Sequence, residues 1–342
     1  MSVDLPTGRP VPPVWKVALG LVVAALLVLG IGLLIARAAG FAAVRDAIED
    51  ADSTWFLACL VAQVAALGGY AVVVREAFRW DDGPKAGLGL SAQVMFASIG
   101  ATRVLAAGGA GALAVAYWCF RKARFPQREA LVRVLGFNAL FYVVFGAAAW
   151  IAALLCSLGV WGDVRLVVTF PWLVLVPSCL AAAVFATQPG RVETLAAPGG
   201  SVARRGLSYV VSATAWVREL LPHRAGRRSL ASSLVYWVGS IVCLWAALNS
   251  VGQSLPLPEL VLAFATGHAA MILPLPLGGV GGVDAAMTYA LTLVGVSLAP
   301  ALVGVAVYRL FSFWVPTIPG LVALVLLPRA GRGLERAAAA RA

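Results

Sequence analysis

Apolar runs of membrane-spanning length follow one another through almost the whole chain. The first covers 20 uninterrupted apolar residues, 17–36, and a helix needs roughly 20 residues to cross the hydrocarbon core of a bilayer. It is longer than the roughly 7–15 apolar residues of a signal peptide, so we expect it to be retained as a first helix. Further long runs occupy residues 55–74, 86–107, 132–155, 164–186, 230–251, 257–273 and 299–327.

The composition supports the same class of protein. The chain is 61% hydrophobic and only 12% charged, which is more apolar surface than a soluble core can bury. We therefore expect an all-α polytopic membrane protein with about eight long transmembrane helices. The formal charge of +11 is interpreted as orientation charge on cytoplasmic loops, and no nucleic acid partner is expected because no basic stripe with interleaved aromatic residues occurs.

Two shorter apolar runs, residues 110–120 and 280–296, each follow a glycine cluster. If both cross the membrane and the N-terminus is cytoplasmic, 21 of the 26 Lys and Arg residues lie on the cytoplasmic side. If neither crosses, this bias disappears, so the positive-inside rule predicts two crossings and cytoplasmic termini. Residues 86–120 give only about 52 Å of helix against about 60 Å for two full crossings, so a shortened or re-entrant hairpin stays open.

The two glycine clusters belong to an internal repeat with an offset of 170 residues. Gly108-Gly109-Ala110-Gly111 corresponds to Gly278-Gly279-Val280-Gly281, and Phe141 corresponds to Phe311. With both short helices crossing, the halves have opposite orientations, as in many transporters whose substrate site lies near the membrane midplane. We expect one membrane domain over residues 1–342, with a first repeat at about 55–186, a basic cytoplasmic linker at 187–228 and a second repeat at about 229–328.

Glycine and proline mark the expected helix breaks of both repeats, because such residues are tolerated in membrane helices beside close contacts and protected cavities. This scaffold consists of Gly108, Gly109, Gly111, Pro274, Pro276, Gly278, Gly279, Gly281 and Gly282. Within the linker, residues 207–221 have helical apolar spacing between arginines, which fits an interfacial helix or a linker helix packed on the protein. Residues 37–54 are predicted to form an external loop.

Three charged residues in apolar sequence do not follow the repeat. Asp284, Arg309 and Arg103 align with Ala114, Ala139 and Leu273. A charge at the centre of a membrane helix costs roughly 2.5–3.5 kcal/mol, so these side chains need partners or water. Two arginines and one acid leave a net positive charge that suits a lipid phosphate. The alternative is a structural Arg–Asp pair that holds broken helices together.

Other polar and aromatic residues have two interpretations each. His268 fits a packing residue better than a group that titrates during transport. Phe311, Phe313 and Trp314 next to Arg309 fit an acyl-chain groove or a lipid-facing surface. The five cysteines lie scattered in apolar runs without metal-ligand spacing, so we expect buried thiols and no metal site.

The stretch GGVGGVDAAM, followed by VYRLFSFWVPTIPG, resembles the signature of the lysylphosphatidylglycerol synthase transmembrane region, a flippase-like domain. The residues that match this pattern are Gly278, Gly279, Gly281, Tyr308, Arg309, Trp314 and Pro316, and Asp284 stands where the family has a glutamate. The resemblance implies a multi-pass protein of the bacterial cytoplasmic membrane that translocates or binds anionic or aminoacylated lipids. It also adds Tyr308 to the expected headgroup site of Arg309, Asp284 and Arg103.

The chain ends at Ala342, some 15 residues after its last long apolar run, so we expect no aminoacyl-transfer domain. No GxSxG or HExxH motif occurs, and we expect neither an enzyme nor a cofactor. The leading hypothesis is a translocase for an anionic or aminoacylated phospholipid or a lipid-linked precursor. The alternatives are a non-transporting accessory protein with an envelope-biosynthesis partner, and a membrane-embedded transferase.

Overall fold

A computed structural model describes residues 14–80, 83–104, 110–160, 166–188, 190–195, 201–272 and 281–340, and within them every regular element is a helix. The all-α prediction is therefore confirmed. The α-helices are α1 (Val14–Ala39), α2 (Phe41–Glu49), α3 (Trp55–Arg79), α4 (Leu88–Val104), α5 (Ala110–Lys122), α6 (Gln127–Ser157), α7 (Leu166–Ala186), α8 (Arg191–Leu195), α9 (Val202–Leu220), α10 (Arg224–Ser250), α11 (Leu257–Ala269), α12 (Gly282–Leu293), α13 (Leu298–Arg309), α14 (Val315–Val325) and α15 (Leu327–Ala339). A 3₁₀ turn, Ala270–Ile272, follows α11, and a π-helical segment, Leu310–Trp314, joins α13 to α14.

Five helical segments among the described residues are long and apolar enough to cross a membrane: α3, α6, α7, α10 and the continuous stretch Leu298–Val325. The chain is thus a membrane protein. The other three predicted spans fall on α1, α4 and α11, which are not among the five. Helices α4 and α11 have 17 and 13 residues and adjoin residues 105–109 and 273–280, which lie outside the described residues. Eight long spans, and the crossing of α5 and α12, stay predictions.

Helices α3 and α10 pack against each other in antiparallel orientation. The rings of Trp55 and Trp245 lie 5.2 Å apart near one end, and those of Tyr70 and Tyr236 lie 5.7 Å apart further along. A Cβ atom on Gly69 would lie 2.5 Å from the backbone oxygen of Ser232. The two backbones therefore touch, as small residues allow in membrane helix pairs.

The contacts between α3 and α10 are reciprocal. A Cβ atom on Gly239 would lie 2.6 Å from the backbone oxygen of Ala62. Gly239 follows Gly69 by 170 positions, and Ser232 follows Ala62 by the same 170. The contact of Gly69 with Ser232 and the contact of Gly239 with Ala62 are therefore equivalent under the 170-residue offset.

The helix bounds share this offset, which relates α3 to α10, α4 to α11, α5 to α12, and α6 to the stretch α13–α14. Packing is also exchanged between the halves, because α4 packs on α14 while α11 packs on α6. At the α4–α14 crossing, Gly100 and Gly320 place their backbones in contact. Two features stay predictions: the division into two repeats and a linker, and the inverted orientation of the repeats.

Aromatic rings fill the region where α6, α10 and α11 meet. The indole N–H of Trp237 donates to the backbone oxygen of Phe141 at 2.9 Å, and the ring of Phe145 lies 4.4 Å from that of Trp237. His268 stacks on Phe264 with ring centres 5.5 Å apart. These contacts agree with the interpretation of His268 as a packing residue.

Three local expectations need correction or refinement. The predicted external loop at residues 37–54 contains the end of α1 and all of α2, which the i,i+4 ion pair of Arg45 and Glu49 supports. Helix α9 buries Trp216 against α6 but exposes Leu207, so its second half is a packed linker helix. Four of the five cysteines are buried as predicted, whereas Cys179 is exposed on α7, most of whose apolar side chains face outward.

We expect Gly69→Ala to lower the melting temperature of the purified protein. The added methyl group would push α3 away from the α10 backbone, and overpacking of this kind costs about 1–3 kcal/mol. Gly68→Ala is the matched control, since nothing lies within 4 Å of its Cβ position and alanine favours helix. Equal melting temperatures for the two variants would contradict the close α3–α10 contact.

Candidate functional site

Asp284 lies in the first turn of α12 and caps that helix. Its carboxylate Oδ2 accepts a hydrogen bond from the backbone N–H of Gly281 at 2.9 Å, which is the reach-back half of a capping box. Gly281 has a φ of 79°, a conformation that glycine adopts readily. A carboxylate here also meets the positive end of the helix dipole. The start of α12 thus holds Asp284 in a defined position.

Of the other residues predicted to form the break scaffold, Gly282 is the first residue of α12 and Gly111 is buried in α5. The remaining six lie outside the described residues: Gly108, Gly109, Pro274, Pro276, Gly278 and Gly279.

Arg309 is the last residue of α13, and its Nε pairs with the Oδ1 of Asp284. The two side chains are only 13% and 16% exposed, so each charge depends on the other for compensation. Both carboxylate oxygens of Asp284 are now engaged, one by Arg309 and one by Gly281. The sequence-based expectation that these charges need partners is met by their mutual contact.

Phe313 brings the second arginine to the same place. The guanidinium carbon of Arg309 lies 4.6 Å from the centre of the Phe313 ring, and that of Arg103 lies 3.7 Å from it. Both distances fall within the range of favourable cation–π contact. Arg103, at the end of α4 in the first half of the chain, therefore contacts the same ring as Arg309 in the second half. That the two arginines share one headgroup site stays a prediction.

A π-helical segment positions Phe313. The N–H of Val315 donates to the carbonyl oxygen of Leu310, five residues earlier, and single π turns of this kind are frequent at functional sites. Pro316 comes directly after Val315 and has no N–H to continue an α-helical ladder. The helix accommodates this proline with a wider turn and continues without a break.

Several polar atoms around Phe313 have no hydrogen-bond partner within the described residues. They are Arg103 Nε, Arg309 Nη2 and Asp284 Oδ1, all buried, of which Asp284 Oδ1 contacts Arg309 Nε as an ion pair. Buried polar groups are normally paired with protein or water. These atoms therefore have spare hydrogen-bonding capacity for water, for a ligand, or for residues 105–109 and 273–280, which the structure does not describe.

A cavity of about 150 Å³ lies beside the Arg309–Asp284 pair. It is smaller than the roughly 300–1,000 Å³ of sites that enclose a drug-sized molecule. It is several times larger than the roughly 30 Å³ that one water molecule occupies in the liquid. It therefore accommodates a small polar group and not a whole lipid. Its described lining comprises Gly32, Ile35, Gly281, Asp284, Leu302, Val305, Ala306, Arg309, Phe313 and Trp314.

The sequence-predicted site residues do not all face this cavity. Tyr308 is 5% exposed and packs edge-on against Phe264 with ring centres 6.0 Å apart. Neither Tyr308 nor Arg103 is among the lining residues. Arg103 contacts the ring of Phe313, which does line the cavity. Their proposed contact with a headgroup stays a prediction.

Sequence reasoning missed two components of the site. Phe313 is 1% exposed, so its ring supports the two arginines and does not face lipid; its position four residues after Arg309, on the same helical face, could have indicated this. Gly32 and Ile35 of α1 line the cavity, and no pattern in the first apolar run distinguishes them from their neighbours.

The model of the family described as lysylphosphatidylglycerol synthase TM region matches residues 17–320. The chain belongs to this family. The match confirms the resemblance carried by the glycine cluster and the Tyr-Arg motif. A comparison of the sequence with curated proteins finds no match. Asp284, Arg309 and Arg103 all fall inside the part of the chain that matches the lysylphosphatidylglycerol synthase TM region.

We expect Asp284→Asn to destabilise the protein by about 3 kcal/mol. The guanidinium of Arg309 is largely buried, and the substitution removes its counter-charge. Asparagine keeps an acceptor for the Gly281 N–H, so this change isolates the loss of charge. The double variant Asp284→Asn/Arg309→Gln should lose less stability than the two single variants lose together. We expect a difference of about 1 kcal/mol or more.

Melting temperatures of the four proteins in one detergent measure this coupling. Glu49→Gln provides a control, since it breaks the Arg45–Glu49 pair, whose side chains are 75% and 59% exposed, and should change little. Additive effects of the Asp284 and Arg309 substitutions would show that the two side chains act separately.

Proposed function

We propose that this protein is a lipid translocator that holds the headgroup phosphate of an anionic or aminoacylated lipid at Arg309, with Arg103 beside it. One observation carries the proposal: a cavity between apolar helices is lined by an arginine whose Nη2 has no partner among the described residues. Membership of the lysylphosphatidylglycerol synthase TM region family fits a lipid-related role in a membrane.

Charge favours a phosphate as the group that binds. Arg309 and Arg103 contribute two positive charges and Asp284 one negative charge, so about one positive charge remains for a lipid phosphodiester. Guanidinium groups form short, charge-assisted and often bidentate hydrogen bonds with phosphate oxygens. Because both oxygens of Asp284 are engaged, its role in the proposal is to orient Arg309 and not to bind an amino headgroup.

The size of the cavity indicates how a lipid would be held. A headgroup phosphate fits a volume of about 150 Å³, whereas acyl chains do not. The chains would therefore stay in the bilayer while the polar part passes between the helices. Helix α1 forms one wall through Gly32 and Ile35, and the neighbouring Leu29, Leu33 and Leu34 are exposed, so this wall separates the cavity from lipid.

The packing of α3 against α10 supports an inverted repeat. The two helices correspond at an offset of 170 residues, lie antiparallel and contact each other through equivalent glycines. An approximate two-fold axis that relates two adjacent antiparallel helices runs perpendicular to them, hence in the membrane plane. Transporters built in this way bind substrate near the repeat interface and expose it to each side in turn.

By the positive-inside rule, both termini would lie in the cytoplasm of a bacterial cell, with the protein in its cytoplasmic membrane. Neither a cofactor nor an enzymatic step is part of the proposal. A transferase would need an acidic cluster near the midplane, and Asp284 is the one acidic residue in the described lining of the cavity.

Arg309→Ala should slow the movement of a labelled anionic phospholipid across proteoliposome membranes at least tenfold. A hydrogen bond to a charged group contributes about 1.5–3 kcal/mol, which corresponds to roughly 10- to 100-fold in rate. Arg103→Ala should have a smaller effect, because Arg103 does not line the cavity. Arg45→Ala is the matched control, since this arginine is exposed and paired with Glu49.

Wild-type transport rates in Arg309→Ala protein that is folded and correctly inserted would contradict the proposed phosphate contact. Absence of transport by the wild type, together with retention of anionic lipid on the purified protein, would leave a lipid-binding but non-transporting protein.

An accessory protein that binds an envelope-biosynthesis enzyme is a second candidate, and the first half of α9 favours it. This half exposes Leu207 and Val210 beside exposed Arg204. Crosslinking in membranes distinguishes the two functions: Leu207→Ser/Val210→Ser would remove a crosslinked partner in the accessory case and leave lipid transport unchanged in the translocator case.

A further inference from the structure

Helix α15 is an amphipathic helix fixed to the end of the last span. Only Leu326 separates it from α14, so it begins where the membrane-spanning stretch Leu298–Val325 ends. One face is buried against α4 and α5. The buried residues on this face are Leu327, Ala330, Gly331, Leu334 and Ala338.

Three contacts hold α15 in place. The side-chain amide of Gln93 donates to the backbone oxygen of Leu326 at 3.3 Å. A Cβ atom on Gly331 would lie 2.6 Å from the ring of Trp118, so the helix backbone rests on α5. Lys122 Nζ pairs with Glu335 at 2.8 Å. The helix is therefore docked on the protein, and its opposite face has a defined direction.

The outer face of α15 is strongly basic. Arg329, Arg332 and Arg336 are exposed and spaced three and four residues apart, which places them in one row. Arg121 and Arg124, at and just after the end of α5, are exposed beside them, and Arg121 Nη1 is held by the backbone oxygen of Phe125 at 2.7 Å. We call these five arginines the α15 basic face.

Glu335 does little to neutralise this face. It is the only acidic residue in the α15 sequence, and Lys122 already balances its charge. The hydrogen bond from Lys122, with the nearby charges of Lys122, Arg124 and Arg332, lowers the pKa of the Glu335 carboxyl below its usual value. The arginines of the α15 basic face therefore keep their net positive charge.

We propose that the α15 basic face binds the anionic phospholipid headgroups of the leaflet at which the last span ends. Two features support lipid as the occupant. Helix α15 begins one residue after a membrane span ends and is docked on α4 and α5, which places it at the membrane–water interface, where anionic headgroups are the concentrated negative charge. Its arginines form a row along the helix, as in surface-bound amphipathic helices. The proposal is independent of the cavity at Arg309.

The test compares the melting temperature of the purified protein in phosphatidylcholine nanodiscs with that in nanodiscs containing phosphatidylglycerol. Wild-type protein should melt higher with phosphatidylglycerol, and high salt should reduce the gain. The triple variant Arg329→Gln/Arg332→Gln/Arg336→Gln should lose at least half of it. Arg224→Gln/Arg227→Gln/Arg228→Gln is the matched control, because it removes equal charge from exposed arginines at the start of α10.

Three results would overturn the proposal: an unchanged gain in the α15 triple variant, equal losses in both triple variants, or a gain that appears only when an acidic protein is added. Equal melting temperatures in phosphatidylcholine alone show that the substitutions leave the fold intact. Should the triple variant fail to fold, Arg332→Gln alone provides the same comparison, with about a third of the loss expected.

Discussion

The ion pair between Arg309 and Asp284 is the interaction on which the second half of the chain depends. Two charges in apolar helices would each be costly alone, and here they compensate each other while Asp284 also caps α12. One carboxylate thus fixes the start of α12 and its distance from α13. The pair therefore has a structural role, and it leaves the outer nitrogen of Arg309 without a partner among the described residues.

The sequence predicted the helical class, because runs of span length leave few alternatives to membrane helices. It also predicted that Asp284 and Arg309 need partners, since they are charges in such runs, and the two pair with each other. A headgroup site that includes Arg103 stays a prediction. The spacing of four residues between Arg309 and Phe313 could have indicated their contact, but the contact of Phe313 with Arg103 depends on tertiary packing and carries no local signal. Nor could the sequence show that α1 forms a cavity wall, since that contact also depends on tertiary packing.

The two halves contact each other through their backbones as well as through side chains. Gly69 and Gly239 allow α3 and α10 to touch, and Gly100 and Gly320 do the same for α4 and α14. Only the first of these pairs corresponds at the offset of 170 residues. The charged centre differs between the halves, so the scaffold retains an approximate equivalence that the site does not share.

The π-helical segment Leu310–Trp314 preserves the rotational register between the site and the scaffold. Each residue of a regular α-helix turns the chain by about 100°, and a π turn accommodates one extra residue. Arg309 before the segment faces Asp284, and Gly320 after it faces Gly100. Because the wider turn absorbs this extra residue, the helix before and after it keeps the register of a plain α-helix, and both faces are retained. The last span therefore carries one residue more than a regular helix would, without turning either its charged or its close-packed surface away.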